Sequence, residues 1–296
     1  MAATRYRRAC IPPRRRLRGL TLIELVIVIA VAGIVVAVMS MFVVTPLKAY
    51  TEQSERAELA DAADDAMRML GRDLRAALPN SVRVSTSGGQ VALELLSTVD
   101  GARYRDGGPL ADPARWLDFT AADGAFATTV PFSQISLPFS STHDYLAIYN
   151  VGVPGANAYE LANVITPPGT SISIAAGSTA NEQLVTLSPA FKFAWPSPGK
   201  RVYLVGGPVS YLCDPSSGTL IRYSGYAIST TQPTDAATLT AAGAASARVA
   251  DRVSACAFSY APGTAARAGL VTLSLTLATD GQQVSLLDQV HLVNAP

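Results

Sequence analysis

The sequence predicts an α+β fold, with a long N-terminal helix packed on a C-terminal antiparallel β-sheet head. Three observations lead there. Residues 25–44 form an apolar run of 20 residues, long enough at about 1.5 Å per residue to cross a bilayer core. Residues 47–78 keep a helical period, with Ala60, Ala63, Met67, Leu70, Leu74 and Leu78 on one face and charges around the rest. From Ser81 onward, short β patterns alternate with Gly, Pro, Ser and Ala.

Seven arginines crowd the residues before Gly19, and Glu24 is the single acid at the start of the apolar run. A charge in mid-span costs on the order of 2.5–3.5 kcal/mol, and less at the edge, so Glu24 needs a reason to be there. Gly19 to Glu24 read GLTLIE and are followed by LVIVIAVAGIV. These residues resemble the processing site and first helix of the type IV prepilin and pseudopilin family. The resemblance implies that a prepilin peptidase, also an N-methyltransferase, cuts after Gly19 on the cytoplasmic side. Leu20 then becomes the methylated terminus, where most members carry phenylalanine, and Glu24 is the family's assembly acid. A secretory signal keeps its apolar core before the cleavage site, whereas here the core follows the glycine. A plain anchor accounts for the span but for neither Gly19 nor Glu24.

On this reading the chain divides into four parts: a cleaved leader (1–19), a transmembrane and assembly helix (20–45), an amphipathic helix continuing into the head (46–80) and a β-rich periplasmic head (81–296). The formal charge of +1 then misleads. Without the seven leader arginines, 16 basic residues face 22 acidic ones, a net of about −6. That excludes a nucleic-acid binder, whose footprint is a basic face. Arginines before the span and Glu52, Glu55 and Glu58 after it orient the amino terminus toward the cytoplasm. The implied location is a single pass through a bacterial inner membrane, followed by a pilus fibre or its tip.

Within the second helix Pro46 removes a backbone donor, which predicts a kink, and Pro79-Asn80-Ser81 predicts a stop. Asp61 and Asp65 share a face, but no histidine or cysteine joins them, so a solvated helix face is the better reading than a metal site. Strand patterns lie at 91–97, 116–120, 145–150, 171–175, 183–188, 201–205, 209–213 and 220–223, with turns at Gly206-Gly207 and 214–218. Val253 to Tyr260 read VSACAFSY and form another strand pattern. Val271, Leu273, Leu275 and Leu277 give the cleanest alternation, and Asp280-Gly281 reads as a hairpin turn into 284–293. Residues 101–113, 121–141 and 230–247 read as irregular, the last as a mobile surface loop.

Of three cysteines the leader removes Cys10, leaving Cys213 and Cys256 in an oxidising compartment. A disulfide between them is expected; two buried free thiols are the alternative. Catalytic patterns are poor. Only His143 and His291 occur, and there is no G-x-S-x-G elbow, phosphate loop, dinucleotide fingerprint or cysteine–histidine metal spacing. No cofactor, metal or enzymatic activity is expected.

The second half also resembles the large minor pilins, through Arg201-Val202-Tyr203, Pro208-Val209-Ser210-Tyr211-Leu212-Cys213, Leu220-Ile221-Arg222-Tyr223, Val253 to Tyr260 and the closing Gln289 to Pro296. The pattern is most similar to the O-type minor pilins of mannose-sensitive haemagglutinin pili. J-type pseudopilins of type II secretion and W-type minor pilins of twitching pili are close relatives. The resemblance implies a subunit that primes or caps a fibre supporting surface attachment. It implies as partners the other minor and major pilins, through their N-terminal helices, and the inner-membrane assembly platform. Two alternatives stay open: a secretion pseudopilin, and a membrane-anchored periplasmic binding or hydrolytic domain.

Overall fold

The structure, a computed structural model, describes residues 19–107, 115–263, 267–279 and 281–293. The leader arginines, Cys10 and Asp280 of the expected hairpin turn lie outside them. The chain forms two compact units that divide between Ser54 and Glu55.

The first unit is helical. Helix α1 (Leu22–Met39) has Thr21 as its N-cap and is followed by a π turn (Ser40–Val44) and helix α2 (Thr45–Arg75). The π turn sits where Pro46 acts. Proline offers no N–H to the carbonyl of Phe42 and its ring crowds that carbonyl, so the ladder widens just before it. None of α1 is buried.

In the second unit α2 buries Leu59, Ala63, Ala66, Met67, Leu70, Gly71 and Leu74. The expected face is corrected at both ends. Ala60 is only half-buried and Leu59 takes its place. Leu78 is not helical, because the helix ends at Arg75 and the chain pairs with a strand instead. Leu78 donates to the Leu96 carbonyl (2.7 Å) and Thr98 donates to that of Ala76 (2.8 Å). Arg72 and Arg75 stand in the last turn, where the helix dipole favours cations.

The head holds β1 (Arg83–Ser87), β2 (Gln90–Tyr104), β3 (Asp123–Val130), β4 (Phe139–Ser141), β5 (Tyr145–Ala147), β6 (Ser171–Ala176) and β7 (Gln183–Phe191). It continues through β8 (Arg201–Asp214), β9 (Thr219–Ser224), α3 (Ala236–Ala241), β10 (Ala245–Ala250), β11 (Val253–Ala261), β12 (Gly269–Thr279) and β13 (Gln282–Leu292). The large sheet runs β10-β9-β8-β2-β3-β7-β6-β4, with β1 also on β2 and β5 on β8; a second sheet runs β11-β12-β13. All its ladders are antiparallel.

The long partners β2 and β8 pair from Val91↔Cys213 to Arg103↔Arg201 and serve two cores. At one end Leu93, Leu95, Val209 and Tyr211 meet the α2 face and the inward residues Val271, Leu273, Leu275 and Leu277 of β12. At the other end Ala102, Tyr104, Val202 and Leu204 pack with Phe126, Ile172, Ile174 and Val185.

Several strand expectations change. Residues 116–120 form no strand. Gly206-Gly207 is no turn: 201–205 and 209–213 belong to the single strand β8. Ser97 pairs with Gly207 and Thr98 with Val205, so Gly206 is bulged out of the ladder. A Cβ on Gly206 would come within 3.2 Å of Val99, and Gly207 has φ +104°, so both positions suit glycine. Residues 121–141, read as irregular, contain β3 and β4. The expected mobile loop 230–247 contains α3 and the start of β10. Asp235 caps α3 by accepting from the Thr238 amide at 2.8 Å, and Leu239 is fully buried against Ala92, Leu212, Tyr223 and Tyr226.

Candidate processing and assembly segment

Gly19 and Leu20 precede α1 in non-helical backbone, and Leu20 is 73% exposed. Among the described residues nothing lies within 4 Å of where a Cβ on Gly19 would sit, and its backbone is outside the left-handed region. The fold therefore makes no demand for glycine there. Thr21 is extended (φ −79°, ψ 150°), and its hydroxyl accepts from the Glu24 amide at 3.3 Å. Thr21 and Glu24 thus occupy the N-cap and third positions of a T-x-x-E start, where an acid also meets the positive end of the helix dipole. This is a local reason for an acid at Glu24 that sequence reading did not weigh.

Beyond Glu24, α1 presents aliphatic residues on every side. A helix that is greasy all round suits lipid or a bundle of similar helices rather than water. The helix from Leu22 is long and apolar enough to cross a membrane. Residues 14–40 match the family model for the prokaryotic N-terminal methylation motif. The motif supports a type IV pilin-like protein. No curated protein and no solved structure matched the chain.

The matched residues include Gly19, Leu20 and Glu24, and with the apolar helix they fit inner-membrane anchoring. A pilin-like processing context also implies a prepilin peptidase and assembly into a pilus or pseudopilus. The fold agrees in kind: a long N-terminal helix followed by an antiparallel β head.

The other two named residues lie in the head. Cys213, near the end of β8, is joined to Cys256 in β11 across a sequence separation of 43, with Cα atoms 6.5 Å apart. The bond ties the large sheet to the second sheet beside the α2 core. Among the described residues no group of three or more His, Cys, Asp or Glu side chains could hold a metal ion. His143 and His291 are both exposed and far apart in sequence, in a loop and in β13.

Two polar networks in the pilin-like head went unread in the sequence. Glu94, fully buried in β2, accepts from Arg83 Nε at 2.6 Å and from the Tyr226 hydroxyl at 2.9 Å. Arg83 also donates to the carbonyls of Ser229 and Thr230 and lies 3.7 Å over the Tyr159 ring. Burial pushes the Glu94 carboxyl above the usual range, and the Arg83 partner offsets only part of that. The same burial raises the Tyr226 and Tyr159 hydroxyls. The second network joins helix to sheet: Asp73 on α2 accepts from the Tyr211 hydroxyl at 2.8 Å and from Arg222 Nε at 2.7 Å. The available signal was an acid among aliphatics, Glu94 in VALELL. Both networks hold strands and loops in place.

Proposed function

We propose that this chain is a minor pilin, a structural subunit rather than an enzyme, of an MSHA-type pilus and of the O-type (MshO) class. The single observation that carries the reading is the methylation motif set on a helix that buries none of its aliphatic residues within the chain. Cleavage after Gly19 frees the amine of Leu20, which is then methylated and keeps its positive charge. That amine lies at the positive end of the helix dipole, an unfavourable place for a cation, so it seeks a carboxylate. Glu24, of this subunit or a neighbour, supplies one. Within a fibre an unpaired carboxylate among greasy helices costs several kcal/mol, so the pairing also sets the stagger between subunits. Assembly then buries α1 against the equivalent helices of neighbouring pilins, and the disulfide-tied head stays outside the membrane.

The lack of any fold requirement for glycine at position 19 supports recognition by a peptidase as the reason for it. The test is Gly19→Leu expressed beside the native protein in the source cell. The expected result is a full-length precursor held in the inner membrane and absent from sheared surface fibres. Normal processing and fibre entry of that variant would overturn the proposal. A J-type pseudopilin shares every one of these features; the same assay separates it, because its product stays in a short periplasmic fibre rather than in the sheared fraction.

A further inference from the structure

A groove beside β8 lies in the head, apart from the assembly segment. The edge of β8 away from β2 is taken by β5 at residues 203–205 and by β9 at residues 209–214. Among the described residues no strand pairs with 206–208 on that edge, so the sheet has a gap at the Gly206-Gly207 bulge. A cleft of about 320 Å³ opens there, lined by Tyr145, Gly206, Gly207, Gly225, Tyr226 and Ala227, with Thr142 and His143 beside them. A second cleft of about 380 Å³ shares Tyr226 and Ala227 and runs along Ser229, Thr231, Thr234 and Asp235. The two are neighbours across one wall.

Backbone forms much of the first cleft. A Cβ on Gly206 would stand 3.2 Å from Val99 and 3.7 Å from the Asp144 carboxylate, and one on Gly207 would stand 4.0 Å from the Tyr145 ring. Gly225 takes φ +79°, with open space where a Cβ would be. Glycines of this kind let a ligand approach the main chain closely. The shared wall is fixed, because the Tyr226 hydroxyl is held between Ser210 at 2.6 Å and Glu94 at 2.9 Å. The second cleft is anchored as well. The Gln232 side chain donates to the Ala92 carbonyl at 3.0 Å and accepts from the Ser85 hydroxyl at 2.8 Å. A site already in shape spares its ligand the cost of ordering loops.

The lining selects the ligand. No lysine or arginine lines either cleft. Asp235 lines the second, and the Asp144 carboxylate stands beside the first. An ionised carboxylate only accepts hydrogen bonds, so it repels an anion and calls for donors. The hydroxyls of Thr142, Ser229, Thr231 and Thr234 can both donate and accept. Each volume falls near the lower end of the ~300–1,000 Å³ range of small-molecule sites, so each cleft takes one small unit.

We propose that the groove binds a neutral sugar chain, one unit in each cleft across the Tyr226–Ala227 wall. Such a chain offers hydroxyl donors to the carboxylates at both ends and an apolar ring face to the wall between them.

The experiment displays the full chain on fluorescent phosphatidylcholine vesicles over a printed array of neutral, sialylated and sulfated oligosaccharides, with protein-free vesicles as the blank. Retention on neutral oligosaccharides is expected, with single neutral sugars about tenfold weaker because they fill one cleft. Ala227→Trp, at an exposed position on the shared wall, should abolish retention, while Ala257→Trp, exposed on the second sheet, should leave it unchanged. Thr231→Val and Asp144→Asn, one for each cleft, should each weaken retention about threefold with native near-UV circular dichroism. Their processing at Gly19 should stay normal, which separates this test from that of the assembly segment. No glycan retained, retention confined to charged glycans, equal retention of single sugars, or retention unchanged in Ala227→Trp or in both milder variants would each overturn the proposal.

Discussion

Helix α1 and the head-facing part of α2 are built from the same kinds of aliphatic residue, yet they meet opposite fates within the chain. The large residues of α1 stand between 48 and 83% exposed, while Leu59 and Leu70 of α2 are at 1 and 0%. The difference lies in pattern rather than in hydrophobicity. In α2 the apolar residues keep to one stripe, and a sheet with its own apolar face can cover it. In α1 they surround the axis, and no element of a single chain can cover all sides at once. Its burial has to come from outside the chain, from lipid or from other helices of the same kind.

That contrast can be broken from the head side first. Replacing both Cys213 and Cys256 by serine opens a loop spanning 43 residues, and the chain-entropy account assigns about 4 kcal/mol to such a bond. The head should melt markedly lower while membrane extraction behaviour stays unchanged. Near-UV circular dichroism of the detergent-solubilised protein reads the first, and carbonate washing of membranes reads the second.

A matched pair of substitutions sharpens it. Leu70→Ala removes a fully buried side chain and should cost the head about 2–5 kcal/mol. Ile29→Ala, at an exposed position of α1, should leave head unfolding within about 0.5 kcal/mol of native. Equal effects from the two would mean that α1 is part of the head's own stability.

The smallest expected effect is pH-dependent. Because the folded-state pKa of Glu94 is raised above 4.5, the folded head holds that proton more tightly than the unfolded chain does. Its contribution is fully present below the unfolded value and is lost as pH rises through the folded one. The stability difference between the native chain and Glu94→Gln should therefore shrink as pH climbs from about 4.5 upward. At neutral pH the variant should still cost about 1–3 kcal/mol if Arg83 is left underpaired. A difference that grows with pH in that window would show that the Arg83 pair outweighs burial.

Much of this was legible in the residues. The span, its leading glycine and acid, and the strict alternation of β12 each repeat one chemical rule over several positions. Loss of periodicity explains what was not legible. Gly206-Gly207 looks like a turn because two glycines favour one, and only the β2 ladder makes it a bulge. Asp123 to Val130, DGAFATTV, has little strand preference of its own and is drawn into the sheet by β7 and the end of β2. Leu78 fits the helix period, yet Pro79 follows and the chain exits to pair with β2. The groove at Gly206-Gly207 depends on a gap along the β8 edge that no local pattern announces.

The most direct test of the central claim is the amino-terminal mass of the protein isolated from its native membrane. Pilin-type processing predicts a chain beginning at Leu20, one methyl group heavier than the bare sequence, with the whole apolar helix retained. A chain that still begins at Met1, or one that begins after the apolar run, would contradict it.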